Sequence, residues 1–264
     1  RTEALPGAGR PARSPAPMTN PSFAASRGVE FAPPREQVAR PGRGPDLLLI
    51  VALLAVAGAL VRALWFTPVE AMQGPAQKIF YVHVPSAFVG LYVGLPIVAI
   101  CSAVYLWLRD PRLDRFAEAS AEVSLVYLST VLLTGPLWGK PVWGTWWTWD
   151  ARLTMTLFLW FIVVGYLVLR GAIENREQRA RYSAVLGILA VLLVPFIHLS
   201  VYLFRTLHPQ PVVLKPEKSS LPPEMLLTLM VSFGAFLLLF FALLRTRARL
   251  GAERDLLALE QETA

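Results

Sequence analysis

The stretch LLLIVALLAVAGALVRALWF, residues 47–66, carries a single charged side chain, Arg62, in twenty positions. At a rise of about 1.5 Å per residue, a helix of that length crosses the roughly 30 Å hydrocarbon core of a bilayer. A helix lying on a soluble core would interleave polar residues every three or four positions. This stretch does not, so its whole circumference suits lipid. Working outward from it, apolar blocks recur at about 84–108, 120–138, 153–170, 183–204 and 223–244. The expected fold is an all-α membrane protein, a bundle of six transmembrane helices. With 55% hydrophobic and 16% charged residues over 264 positions, the composition excludes an ordinary soluble domain.

Residues 1–44 are rich in Pro, Ala, Gly and Arg and have no apolar period, a composition that cannot offset the entropy of ordering. They are expected to form a disordered basic tail, partly non-native because the first methionine is Met18. Residues 45–248 make up the six-helix domain, and 249–264 a C-terminal tail. The net charge of +7 is a matter of topology. Its basic residues lie in short pieces between apolar blocks and lack the patterned face of a nucleic-acid binder, so no nucleic acid is expected. Eighteen Lys and Arg residues fall in the 1–43, 109–115, 170–181 and 245–254 segments, against six on the other side: Lys78, Lys140, Arg152, Arg205, Lys215 and Lys218. Positive charge is retained in the cytoplasm, which places both termini there and the loops near 67–83, 139–152 and 205–222 outside.

These outer loops hold the residues capable of chemistry. The one cysteine, Cys101, sits inside an apolar block, so neither an intrachain disulfide nor a Cys-x-x-Cys motif can form. All three histidines, His83, His198 and His208, fall on the outer side. A lone interfacial histidine is more often a hydrogen-bonded residue than a ligand. However, His83 and His208 flank the middle outer loop in sequence, and each sits at a helix end. Two neutral imidazoles with no thiolate suit the axial positions of a haem iron better than tetrahedral zinc. His198, ten residues before His208 in an apolar run, is expected to be a structural, hydrogen-bonded residue.

Five of the eight tryptophans, Trp138, Trp143, Trp146, Trp147 and Trp149, crowd into residues 138–149. An aromatic belt would share its tryptophans among all the helix ends. If the stretch after Pro141 is an in-plane helical turn, Trp143, Trp146, Trp147 and Asp150 share one face as a flat shelf and Trp149 faces lipid. Gly144 disfavours that turn by about 1 kcal/mol, which leaves an extended loop as the alternative. Arg152 has two readings of equal weight: a cation for the carboxylates of a planar ligand, or a partner of Asp150 at a helix start. Asp150 itself is also a natural helix cap.

The run WGKPVWGTWWTWDARLT at 138–154 closely resembles the signature of the "WWD" haem-handling membrane proteins of cytochrome c biogenesis, in their CcmC branch. IFYVHVPS at 79–86, FIHLSV at 196–201 and Thr206-Leu-His208 resemble the segments flanking that signature, and the similarity covers about 45–245. The resemblance implies that His83 and His208 ligate the haem iron. Trp138, Trp143, Trp146, Trp147, Asp150 and Arg152 would then belong to the haem-binding surface. It further implies haem b as cargo, a bacterial inner membrane, and delivery to a periplasmic CcmE-like haem chaperone. The other implied partners are CcmA/CcmB-like ABC transporter subunits and a small CcmD-like membrane subunit. A binding and presentation module is expected rather than an enzyme. The alternatives are a transmembrane haem transporter or a cytochrome c haem lyase, whose larger relatives carry longer chains and extra intramembrane histidines.

Overall fold

The computed structural model describes Thr2, residues 45–209 and residues 219–263, so the expected tail at 1–44 lies, apart from Thr2, outside the described residues. Among the described residues, six helices are long and apolar enough to cross a membrane. Helix α1, Leu47–Val61, runs on as a π turn over Arg62–Phe66. The second span opens with a 3-10 turn, Pro75–Ile79, and consists of α2, Phe80–Val89, a π turn, Gly90–Gly94, and α3, Leu95–Leu108. Then follow α4, Pro111–Trp143, α5, Ala151–Ala172, α6, Arg176–Leu203, and α7, Pro223–Thr263. Among the described residues there is no β-strand, only an isolated bridge between Glu70 and Gly74.

Local chemistry sets the helix ends. Each of Asp46, Asp110, Asp150 and Asn175 stands just before a helix and accepts hydrogen bonds from first-turn backbone N–H groups. Pro111 follows Asp110 at the first helical position, where its missing N–H costs nothing. Several helices run past the expected spans, α4 starting at Pro111, α6 at Arg176 and α7 ending at Thr263, and two further differences bear on the site. The second span begins well before residue 84, so His83 lies within α2 and Pro85 is an interior proline. Helix α4 continues past 138 through Pro136 and Pro141 to Trp143, and Gly144, at φ +77°, ends it in the left-handed conformation open to glycine. The position at 248 is not marked by any break, because α7 stays helical to Thr263.

Helix α4 is the central post. On one side, Leu128 packs with Leu91, Leu95, Leu159, Val163, Val194 and Ile197 from the second, fourth and fifth spans. On the other, Val123 and Tyr127 pack with Val89, Phe236, Phe240 and Leu244. A third cluster, Ala63, Phe80, Tyr81, Trp138 and Leu229, closes the outer end. The approach of the second span to α4 is so close that a Cβ on Gly94 would sit 2.0 Å from Ser124 Oγ, a distance that only glycine permits.

Charge is concentrated at the opposite end of the bundle. Buried Arg170 donates two hydrogen bonds to Asp114, at 2.6 and 2.8 Å, and a third to Glu118 at 3.0 Å. Arg254 of α7 reaches the same Glu118 at 2.9 Å, Arg247 pairs with Glu122, and Asp255 joins Arg115 at 3.3 Å and Arg176 at 2.5 Å. The lattice ties α4, α5, α6 and α7 together.

Candidate functional site

The outer end of α4, the loop at 144–150, the first turns of α5 and the segment following α6 surround a cavity of about 780 Å³, its open mouth included. His83, Trp138, Trp143, Trp146, Trp147, Arg152 and His208 line it, with Gly135, Leu153, Thr156 and Ile197 in its walls. Seven of the eight expected site residues therefore meet there, although they are spread over 126 positions of the chain from His83 to His208.

The histidines stand at the two ends of a row of aromatic rings. His83 meets the edge of Trp138 at 5.7 Å, Trp138 stacks on Trp143 at 6.5 Å with the planes 30° apart, and Trp143 lies 6.4 Å from His208. Trp138 is held by a hydrogen bond from its indole Nε1 to Gln73 Oε1 at 3.0 Å, which ties the first outer loop to the cavity wall. His83 is buried and its Nδ1 lies 2.9 Å from Thr134 Oγ1. His208, beyond the end of α6, is partly buried, and its Nδ1 lies 2.9 Å from the carbonyl oxygen of Pro209. Burial and the nearby Arg152 guanidinium push the His208 imidazole down to about 4, so at neutral pH it is uncharged and able to act as a ligand.

The tryptophan loop takes the extended form, not the helical turn. Trp143 is the last helical residue, and Trp146 and Trp147 reach the cavity from irregular backbone. Trp149 is 75% exposed and touches Trp147 edge-on at 5.7 Å, off the cavity. Asp150 also stays out of the cavity: one carboxylate oxygen caps α5 at Leu153 N, 3.0 Å, and the other accepts from Thr148 Oγ1 at 3.2 Å. Its role in the structure is that of the helix cap. Arg152 makes no ion pair with Asp150 among the described residues. Its Nη1 and the indole Nε1 of Trp147 are buried donors without a partner there. Such donors are costly to bury and suit an acceptor that arrives with a ligand. His198 bonds to Tyr92 Oη at 2.9 Å, apart from the cavity lining.

Sequence reasoning missed Gln73, Thr134 and Gly135. Gly135 faces the imidazole, and a Cβ there would come within 3.4 Å of His83 Cε1. Nothing in a threonine or glycine within an apolar span signals such a contact. Among the described residues no three His, Cys, Asp or Glu side chains gather, so the paired histidines are the metal-capable feature of the cavity.

Fold and cavity together define a multi-pass helical membrane protein with a cavity at one end, walled by tryptophan and lined by two imidazoles. Comparison with known proteins gives that class its family. Residues 28–259 match the family described as Heme exporter protein C. The Heme exporter protein C of Haemophilus influenzae is 36% identical over 222 residues, covering 83% of this chain and 89% of that one. That of Escherichia coli K12 is 36% identical over 186 residues, covering 70% and 74%. A ccmC-like mitochondrial protein of cytochrome c biosynthesis from Marchantia polymorpha is 32% identical over 207 residues, covering 78% and 87%. The chain belongs to the Heme exporter protein C family, a family of membrane haem-trafficking components and not of enzymes.

Proposed function

We propose that the cavity binds haem, with His83 and His208 as axial ligands of the iron, and presents it at the periplasmic face of the bacterial inner membrane during maturation of c-type cytochromes. The observation that carries this reading is the convergence of the two histidines on one cavity, joined by the Trp138 and Trp143 rings. The fit is chemical as well as spatial. Tryptophan faces and Leu153, Ile197 and Gly135 supply apolar walls for a planar macrocycle, and the partnerless donors of Arg152 and Trp147 supply what two propionates accept. The cargo would be haem b held without covalent attachment, since Cys101 lies in α3, away from the cavity. Both termini would be cytoplasmic, by the excess of Arg and Lys at that end. The receiver would be a periplasmic CcmE-like chaperone, with CcmA/CcmB-like ABC subunits and a small CcmD-like subunit alongside.

The test is the absorption spectrum of the protein purified in mild detergent. A low-spin bis-histidine spectrum is expected, and alanine at either His83 or His208 should alter it or abolish the haem. If both single variants keep the unaltered low-spin spectrum, the ligand assignment is wrong.

A further inference from the structure

We propose that Thr134 is the positioning residue of the haem ligand His83, fixing its tautomer so that Nε2 is the iron-binding atom. The proposal rests on the haem reading of the cavity and assigns a role to a residue outside its lining.

The argument is a count of protons. Thr134 Oγ1 lies 2.6 Å from the Thr130 carbonyl and 3.5 Å from that of Val131, and a carbonyl can only accept. The single hydroxyl proton is therefore committed to the helix backbone, and the oxygen offers only lone pairs to anything else. His83 Nδ1, 2.9 Å away, must then be the donor, so the imidazole carries its proton on Nδ1. A neutral imidazole protonated there has its lone pair on Nε2. The same stretch of α4 also places Trp138 against the ring, edge-on at 5.7 Å. At 7% exposure, no bulk water competes for Nδ1.

The two histidines are thus held by different means. His208 has its own chain's Pro209 carbonyl beside Nδ1, a contact that travels with the loop. His83 is oriented by a side chain from another helix and is the better anchored of the pair. A hydrogen bond accepted from Nδ1–H also raises the donor strength of Nε2, which stabilises the oxidised iron and lowers its potential.

The experiment compares Thr134→Val, nearly the same shape without the hydroxyl, with Thr134→Ser, which keeps it, in the full-length protein in detergent. Haem titration and a redox titration give the readouts. Thr134→Val should weaken haem binding by roughly 10–100-fold, as loss of a hydrogen bond that orients a ligand does, and raise the midpoint potential, while Thr134→Ser stays near the parent. Thr134→Ala against Thr134→Ser gives the same contrast if the valine variant accumulates poorly. In a His83→Ala background the Thr134→Val change should add nothing further. Parent-like affinity and potential for Thr134→Val would overturn the proposal, as would a loss that adds to that of His83→Ala, because a scaffold role predicts addition. Failure of the cavity reading looks different: there His83→Ala itself keeps the parent spectrum, and the Thr134 role falls with it.

Discussion

The two ends of the bundle handle polarity in opposite ways. At the end far from the cavity Arg170, Asp114, Glu118 and Arg254 answer one another's charges. At the cavity end Arg152 has no ion-pair partner among the described residues, and its Nη1 and Trp147 Nε1 are buried without a hydrogen-bond partner, whereas Arg170 lacks one only at Nε. A buried donor with no partner costs about 1–3 kcal/mol, more if charged, and a fold keeps such a cost only where something else is gained. The lattice serves the fold, whereas on the proposed reading the partnerless donors at the other end serve the ligand.

The sharpest way to break the contrast is Arg170→Leu. It leaves part-buried Asp114 without its Arg170 partner, while Glu118 keeps Arg254, and should destabilise the protein by about 2–4 kcal/mol, read as a fall in thermal unfolding temperature in detergent. Molecules that stay folded should keep the parent haem spectrum. Arg152→Met asks the converse question. Unfolding of the haem-free protein should be unchanged or slightly harder, because a buried unpaired cation has gone, while haem binding weakens by about 1.5–3 kcal/mol. A large loss of stability with haem binding intact would reverse the assignment of the two ends.

Acidification probes His208. Its folded value, about 4, lies below the ordinary 6.5, so between those values the unfolded chain takes up a proton that the folded chain refuses. Stability of the haem-free protein should therefore decline as pH falls through that window and level off below it, and His208→Ala should flatten the slope. The smallest effect separates a stacking wall from an aromatic belt. Trp143→Ala should cost about 0.5–1.5 kcal/mol of haem binding with normal accumulation, and Trp65→Ala none. Equal loss from Trp65→Ala would favour the belt.

The spans were legible because each apolar block is long enough to be unambiguous. The ends were not, and for a physical reason. Pro85 reads as a helix start and Gly139-Lys-Pro141 as a loop, yet packing of Phe80, Tyr81 and Trp138 in the outer cluster holds both stretches helical. His83, His208 and Arg152 could be picked out as rare polar residues beside apolar blocks. Their meeting in one cavity depends on helices distant in sequence. Asp150 gave a correct local signal, since a carboxylate just before an apolar run is a cap, and the cap absorbs both of its oxygens. Thr134 gave none, because a threonine that bonds its own helix looks the same whether or not an imidazole leans on it.

The unbroken course of α4 from Pro111 to Trp143 has a consequence for which changes the chain can tolerate. One helix carries Asp114, Glu118 and Glu122 near its start and Thr134, Gly135, Trp138 and Trp143 near its finish, so the two sets are locked in angular phase. Inserting a single residue between Glu122 and Thr130 would turn everything beyond it by about 100° and advance it by about 1.5 Å. Trp138 would swing off His83 while the lattice behind it stayed intact. A loop can lengthen at little cost, but here the number of residues between the two groups is itself part of the design.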